Sequence, residues 1–420
     1  MSVVVEGKYG WFLDACALID RGYERCLTRK ANPQSNLKGC FKSQCFNVMK
    51  SHCAVKACAD PVQEQTDIER PAKKRKRKHS ELNQGEIDSH AFHEKVRCAI
   101  LEGTKSLVES ARLLGYLQGG PATSENPLPG QECNLASLCD MAKDLVGVDD
   151  EDGEDQQDHA QLLLDEDGCT SHLDLFSRVT ENTSKWAAVV PLMGEEYVIP
   201  PHAAFLLSDF SRMQPLLRCG RKFDVIVMDP PWENKSVKRS RRYRSLPSSQ
   251  LKRLPLPDLA SPNCLVVTWV TNRARHLRFV RDELYPHWGV EVVAEWFWIK
   301  VTTEGHFVFP LDSPHKKPYE VLVLGRYRCS QTSISSESLV SPVEDHRLIV
   351  SVPSALHSHK PSLSEVLKPY IGTEAICLEL FARSLQPGWT SWGNEVLRFQ
   401  HTSYFTWTAA DEPTQSASED

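Results

Sequence analysis

The sequence contains no apolar run approaching the roughly 20 residues that a membrane-crossing helix needs, so a spanning protein is not expected. Its N-terminus, MSVVVEGKYGWFLD, carries Glu6 and Lys8 where an export signal would be uninterruptedly apolar. No Gly-x-Gly-x-x-Gly turn is present, which removes the usual cradle for a dinucleotide pyrophosphate. No two cysteines stand in the two-residue spacing of a zinc knuckle, and eight of the 14 lie beyond residue 90, so neither a metal module nor a disulfide scaffold is expected. Reduced thiols fit better, inside a cell. A dominant charge is missing too: 49 Lys and Arg against 55 Asp and Glu leave a net −6. Taken alone that figure speaks against a nucleic-acid partner, but the inference holds only if the charges are evenly spread.

They are not. Residues 1–60 mix β-leaning pieces at 2–5 and 9–13 with six cysteines, and read as a small, β-rich N-terminal module. Within it, Cys40-x4-Cys45 and Cys53-x4-Cys58, with His52 adjacent, read as free thiols with no metal. Residues 61–87 turn polar and hold Lys73-Lys74-Arg75-Lys76-Arg77-Lys78, six consecutive cations that repel one another and bury nothing. That segment is expected to be a disordered linker with a nuclear localisation signal, placing the protein in the nucleus with the cytoplasm as a second site. Phe92, Val96, Ala99, Ile100, Leu107, Ala111 and Leu114 recur along one side of a helix over 88–114, within a helical connector spanning 88–147. An acidic linker with a short helix follows over 148–182, opening on Asp149-Asp150-Glu151-Asp152-Gly153-Glu154-Asp155. This tract offsets cations elsewhere and explains the net charge.

From 183 to 402 the texture becomes α/β. Strands rich in Val, Ile, Leu and aromatics are predicted at 223–228, 264–270, 295–301, 319–324 and 375–381, with helices at 273–284 and 362–370. Such alternation predicts a Rossmann-like, mostly parallel sheet with its ligands at the carboxyl ends of the strands. The last segment, 403–420, reads as a disordered tail.

The strand at 223–228 runs into Asp229-Pro230-Pro231-Trp232. Two prolines stop a strand and fix the backbone, so the acid and the aromatic are held at the edge where an active site belongs. An isolated Pro-Pro is more often an ordinary turn; its position at a strand end favours a site. The chemistry it suits is methylation of an exocyclic amino group. That nitrogen is a poor nucleophile, its lone pair being delocalised into the base. A carboxylate and the Pro230 carbonyl accepting its two N–H groups favour a tetrahedral nitrogen aimed at an electrophilic methyl, while Trp232 stacks on a base taken out of its helix.

Directly downstream lie Lys235, Lys238, Arg239, Arg241, Arg242 and Arg244, six cations in ten residues with no acid between them. A charge run is usually a solvated loop, yet beside a base-binding turn this one is placed for phosphate contacts, with Tyr243 inside it to line the path of the base. His315-Lys316-Lys317 would extend the patch.

The strand and turn at 229–232, Tyr243-Arg244-Ser245-Leu246, Trp269-Val270-Thr271, Ser358-His359-Lys360-Pro361 and Glu379-Leu380-Phe381-Ala382-Arg383 together resemble the eukaryotic adenine-N6 methyltransferases, the family of the catalytic subunit that makes N6-methyladenosine in messenger RNA. The resemblance covers about 195–400. It implies transfer from S-adenosyl-L-methionine, with Asp209 and Phe210 near the cofactor adenine, Asp229 at the reacting end, Lys360 on the methionine carboxylate, and Arg383, Asn394 and Glu395 toward the ribose. Two departures bear on the ribose contacts: the chain after Arg383 reads Ser384-Leu385-Gln386-Pro387, shorter than in the messenger RNA enzyme, and Glu395 replaces a Gln. The order of motifs, base-binding turn before cofactor strand, matches the family's permuted arrangement. The resemblance further implies RNA ahead of DNA, with 2′-O-methyladenosine of a spliceosomal small nuclear RNA as the target. A non-catalytic RNA-binding scaffold is the reading of another class, weakened by the intact Asp229 turn. Neither a protein partner nor an oligomeric state is indicated.

Overall fold

The computed structural model describes residues 2–28, 37–49, 84–117, 160–164, 173–210, 212–233, 246–313, 316–328 and 341–409. The basic run at 73–78, the acidic tract at 149–155 and the loop from Lys235 to Arg244 lie outside them.

Strand Phe223–Met228 is buried on both faces, as the unbroken run Val225-Ile226-Val227-Met228 requires. Its neighbours are Cys377–Leu380 on one side and Ala260–Val270 on the other, both parallel to it. Trp389–Trp392 and Ala204–Leu206 continue the parallel set beyond Cys377–Leu380. These strands form the middle of a 12-stranded sheet. The sheet is mixed: Tyr319–Tyr327 runs antiparallel to both Ala260–Val270 and Val290–Lys300, and then Leu348–Ser351 and Gly10–Leu13 add in parallel. The expected strands are all present. Those at 204–206, 348–351 and 389–392 escape sequence reading because each is only three or four residues long, too short to show a period.

Alternating side chains feed two cores. Ile226, Met228, Val266, Leu378 and Leu380 point into the first, against the helix Gln84–Leu113. Val225, Val227, Leu265, Val267 and Trp269 point into the second, covered by the helical turn Ser364–Leu367. The long helix buries Val96, Ile100, Leu107, Val108 and Ala111 at helical spacing. Gly103 sits at its closest approach to the sheet, where a Cβ would run into Leu348 and Tyr9.

Three expected boundaries do not match this arrangement. The N-terminal residues are not a separate module: Gly10–Leu13 is an internal strand of the main sheet, and Cys26–Thr28 and Leu37–Phe41 belong to a second, 5-stranded sheet with Ala187–Leu192, Glu195–Ile199 and Phe405–Ala409. Trp11, Phe12 and Leu13 are fully apolar in sequence, and such a strand needs cover on both faces that 60 residues of their own do not supply. The helix at 84–113 is not a connector but one wall of the main core, because its apolar stripe requires a partner surface. The tail is ordered through 409: Phe405–Ala409 pairs antiparallel with Leu37–Phe41, Phe405 and Trp407 alternating with threonines as a half-buried strand does. In the acidic segment the described residues form the short strands Gln161–Leu162 and Thr180–Glu181 rather than a helix. Among the described residues no helix is long and apolar enough to cross a membrane.

Candidate active site

The turn after Phe223–Met228 is fixed from several directions. The Asp229 N–H points to the Leu380 carbonyl at 3.4 Å, tying the turn to the adjacent parallel strand. Pro230 O accepts the Trp232 N–H at 2.7 Å, and Pro231 O accepts the Leu246 N–H at 3.0 Å. Because Trp232 and Leu246 form a bridge, the chain leaves toward the basic loop and returns at the same place. The loop's own phosphate-binding candidates, Lys235, Lys238, Arg239, Arg241, Arg242, Tyr243 and Arg244, lie outside the described residues. Arg273 and Arg275, at the start of the following helix, both donate to the Glu233 carbonyl and hold its exit.

Trp232 differs from expectation. It is 4% exposed, its indole N–H donates to the Trp269 carbonyl at 2.9 Å, and its ring lies 4.9 Å from that of His276. An indole committed to the core by its donor and its faces is not an open stacking wall. It is a plug beneath the turn that holds Asp229 in place. Burial, with the Arg275 charge adding to it, pushes His276 down to about 4, so the ring against Trp232 is neutral near pH 7.

Asp229 meets two cations. Its Oδ2 bonds Arg383 Nη1 at 2.9 Å and lies 3.8 Å from Lys360 Nζ. Lys360 also binds Glu320, whose other oxygen binds Lys300. Arg383 reaches Glu395 through Nε at 3.1 Å, and Arg398 binds the second Glu395 oxygen at 3.1 Å. Four carboxylates stand here with four cations: Glu379 completes the set, half-buried on the strand Cys377–Leu380 and held by the Gln386 amide at 2.8 Å. Lys360 lies over the Trp269 and Trp298 rings at 5.2 and 5.7 Å.

Burial alone would raise the Glu320 carboxyl, but the Lys300 and Lys360 ammoniums prevail and hold it at about 2. For Lys360 burial acts downward, and the charges of Asp229 and Glu320 outweigh it, so the ammonium stays protonated. Among the described residues no cation is bonded to Glu379. Burial pushes it up to about 7, Gln386 opposing and Asp229 adding to the rise.

The loops that deliver the two cations share one feature. Ser358, two residues before Lys360, has φ 63°, and Phe381, two residues before Arg383, has φ 60°. Left-handed conformations cost non-glycine residues roughly 1–2 kcal/mol, so packing must hold both. Phe381 is held between Trp392, at 5.5 Å, and Phe210, which stacks on it at 6.4 Å and 13°. Phe210 thereby reaches the site through Phe381, with Asp209 half-buried on the same turn. Asn394 is half-buried next to Glu395, and Gly393 before it packs so closely on the Ala382 backbone that a Cβ would lie 3.0 Å from its carbonyl.

A cavity of about 630 Å³ opens beside Asp229, lined by Lys360, Glu379, Phe381 and Arg383. Pockets that bury ligands of a few hundred daltons fall in this range. Its donors suit a zwitterionic ligand: an ammonium for a carboxylate, carboxylates for a positive centre, an aromatic for a base. Sequence reading missed Glu320, Lys300, Glu379 and Arg398 as parts of this network. A signal existed, since Glu320 is the single charge in the run from Tyr319 to Gly325 and Glu379 the single charge in Cys377–Leu380, which is rare without a partner. Among the described residues no cluster has the makings of a metal site.

The MT-A70 family profile matches residues 223–395, from the strand Phe223–Met228 to Glu395. The chain is 50% identical over 385 residues to N(6)-adenine-specific methyltransferase METTL4 of Mus musculus, covering 87% of this chain and 80% of that protein. It is 35% identical over 227 residues to the N6-methyladenosine RNA methyltransferase MTA1 of Pyricularia oryzae, covering 52% of this chain and 58% of that one. It is 36% identical over 220 residues to the DNA N6-methyl methyltransferase of Caenorhabditis elegans, covering 51% and 56%.

Proposed function

The chain belongs to the MT-A70 family, and from that premise we propose that it is an S-adenosylmethionine-dependent methyltransferase acting on N6 of adenine in nucleic acid. The observation that carries the reading is Asp229 on its proline-fixed turn, held by Arg383 and facing Lys360 at the mouth of the cavity. The permuted order of base-binding turn and cofactor strand is part of the same reading.

In this mechanism Asp229 and the Pro230 carbonyl accept the two N6 hydrogens. The Trp232 N–H occupies one lone pair of that carbonyl and leaves the other for the base. Accepting both hydrogens localises the nitrogen lone pair and directs it at the incoming methyl, and because the acceptors are fixed beforehand no reorganisation accompanies the reaction. S-adenosylmethionine, when bound, supplies the sulfonium methyl. Lys360 would pair with its carboxylate, Arg383, Asn394 and Glu395 would hold its ribose, and Asp209 and Phe210 its adenine. Trp269 holds the Lys360 ammonium over its ring at 5.2 Å. The N6 lone pair so aimed would take the methyl, and one N6 proton would then leave toward solvent.

We take RNA as the substrate, with 2′-O-methyladenosine of a spliceosomal small nuclear RNA as the target, and the nucleus as the place of action. What supports this is the family resemblance and the cation run at 73–78, while the basic loop from Lys235 to Arg244 supplies phosphate contacts. Relatives named for RNA and for DNA are similar to the chain at comparable identity, so DNA adenine is the competing substrate. The test is to incubate wild type and Asp229→Ala with labelled cofactor and matched RNA, 2′-O-methylated RNA and DNA oligonucleotides. Label on 2′-O-methylated RNA from wild type alone is expected. Preference for DNA would overturn the substrate, and equal label from both proteins would overturn the role of Asp229.

A further inference from the structure

The N-terminal residues touch both loops that carry the cavity's cations. Arg21 Nη1 bonds Glu365 Oε1 at 2.9 Å, and Glu365 stands just after Lys360 on the helical turn Ser364–Leu367. The same nitrogen donates to Ser2 Oγ at 2.9 Å. Gly22 packs on Pro387, in the loop that follows Arg383; a Cβ there would lie 2.9 Å from the proline Cγ, and a proline ring cannot swing aside. Tyr23, 1% exposed, accepts a hydrogen bond from Gln400 Nε2 at 2.7 Å, and Gln400 Oε1 in turn accepts the Leu385 N–H of the Arg383 loop at 3.1 Å. On the Lys360 side, Phe41 packs against His359 with ring centroids 5.5 Å apart. His359 stacks on Phe399 at 4.2 Å, and the Phe399 N–H donates to the Arg383 carbonyl at 3.0 Å. Leu18, Ile19, Arg21, Tyr23 and Phe41 form one wall of the cavity itself.

We propose that residues 18–23 and Phe41 are positioning residues for the cofactor: they brace the Lys360 and Arg383 loops from outside the family-matched segment and close the wall of the cavity. The proposal rests on the reading of that cavity as the cofactor's. Both loops hold a left-handed residue close before their cation, so neither keeps its shape from local preference alone. The brace supplies what the local sequence does not. Among the described residues the contacts above run to the Lys360 and Arg383 loops, so the brace acts on cofactor affinity and leaves substrate affinity alone.

The experiment uses the full chain and four variants: Gly22→Val, Arg21→Ala, Arg21→Lys and, as reference, Lys360→Ala. For each, the S-adenosylmethionine dissociation constant, the oligonucleotide KM and the unfolding midpoint are measured. Gly22→Val should weaken cofactor binding ~10-fold, since a loop displaced by a fraction of an ångström misplaces its cation. Arg21→Ala, an exposed ion pair, should weaken it about 3-fold, with Arg21→Lys restoring most of the loss. Oligonucleotide KM should stay within about 2-fold of wild type. Arg21→Ala lies on the surface and keeps the test informative if Gly22→Val does not fold. Unchanged cofactor affinity in the Gly22 and Arg21 variants, with Lys360→Ala impaired, overturns the brace alone. Equal loss of cofactor and oligonucleotide affinity with a lowered midpoint also overturns it, as a purely structural effect. Unchanged affinity in Lys360→Ala overturns the cofactor reading and the brace together.

Discussion

The Asp229 turn and the charge network facing it are held in place by different means. The turn is made of four consecutive residues, stiffened covalently by two prolines and pinned from below by a buried indole. The network is assembled from Lys300, Glu320, Lys360, Glu379, Arg383, Glu395 and Arg398, spread over nearly a hundred positions, and is held by charge compensation. A covalently stiffened element tolerates loss of one neighbour. A network of partly buried ions does not, because each lost partner leaves a charge without compensation. Asp229 belongs to both, which makes it the place where the comparison breaks most visibly.

Asp229→Ala should have the largest effect. On the proposed mechanism it removes a preorganised acceptor of the target amine, and it also leaves Arg383 without its 2.9 Å partner. A fall in kcat of roughly 10³, about 4 kcal/mol, is expected in single-turnover assays. Asp229→Asn separates the two parts: it keeps shape but not charge, so cofactor binding should suffer while the unfolding midpoint shifts less than in the alanine variant. Glu320→Ala comes next. It leaves two ammoniums, Lys300 and Lys360, facing one another without their shared carboxylate, and should lower stability by about 3–5 kcal/mol in urea denaturation. Wild-type stability in that variant would mean that Lys300 and Lys360 find water or other partners, and that the network is looser than its geometry indicates.

The same contrast explains what could be read from sequence. Asp229-Pro230-Pro231-Trp232 was legible because its meaning is local: strand, two prolines, acid and aromatic in one window. Lys360 and Arg383 were legible only through resemblance, since nothing in Ser358-His359-Lys360-Pro361 says that it meets a strand 130 residues earlier. Glu320 and Glu379 were missed although each is the single charge within its strand's apolar run, a pattern that calls for a buried partner without naming it. The N-terminal strands were read correctly as strands and wrongly as a module, because pairing across 340 positions leaves no periodic trace: Gly10–Leu13 pairs with Leu348–Ser351. Trp232 shows the reverse limit. Its residue type was evident, but whether an indole at a strand end faces a ligand or the core depends on what lies behind it, here the Trp269 carbonyl.

Glu379 sharpens the comparison within the network, as the member with no cation bonded to it among the described residues. Its carboxyl rises from an ordinary 4.5 to about 7. A carboxyl raised in the folded state binds its proton more tightly there than in the unfolded chain. Between about pH 4.5 and 7 the folded protein therefore holds more protons, and stability falls as pH rises through that window. Glu379→Gln should flatten this slope and gain about 3 kcal/mol at pH 8 relative to wild type, as read from urea midpoints across pH 4 to 8. An unchanged slope would show Glu379 ionised throughout, and then Gln386 alone would have to satisfy a half-buried carboxylate.

Trp232→Phe gives the smallest expected effect and the cleanest separation of plug from stacking wall. Phenylalanine keeps an aromatic ring but is smaller, and it removes the N–H that bonds the Trp269 carbonyl at 2.9 Å together with part of the ring volume that fills this site. As a plug, Trp232 should lose about 1–2 kcal/mol of stability on this change, the cost of leaving that carbonyl without its donor in a dry site. Oligonucleotide KM should not move, since a residue 4% exposed offers no face to a base. If Trp232 were a wall, the pattern would invert: phenylalanine would preserve stability but weaken base stacking, by about 1–3 kcal/mol per base at most, and KM would rise. Measuring midpoint and KM on one variant thus decides which side of the turn the indole serves, and whether the stiffness of Asp229 comes from the prolines alone or also from what lies beneath them.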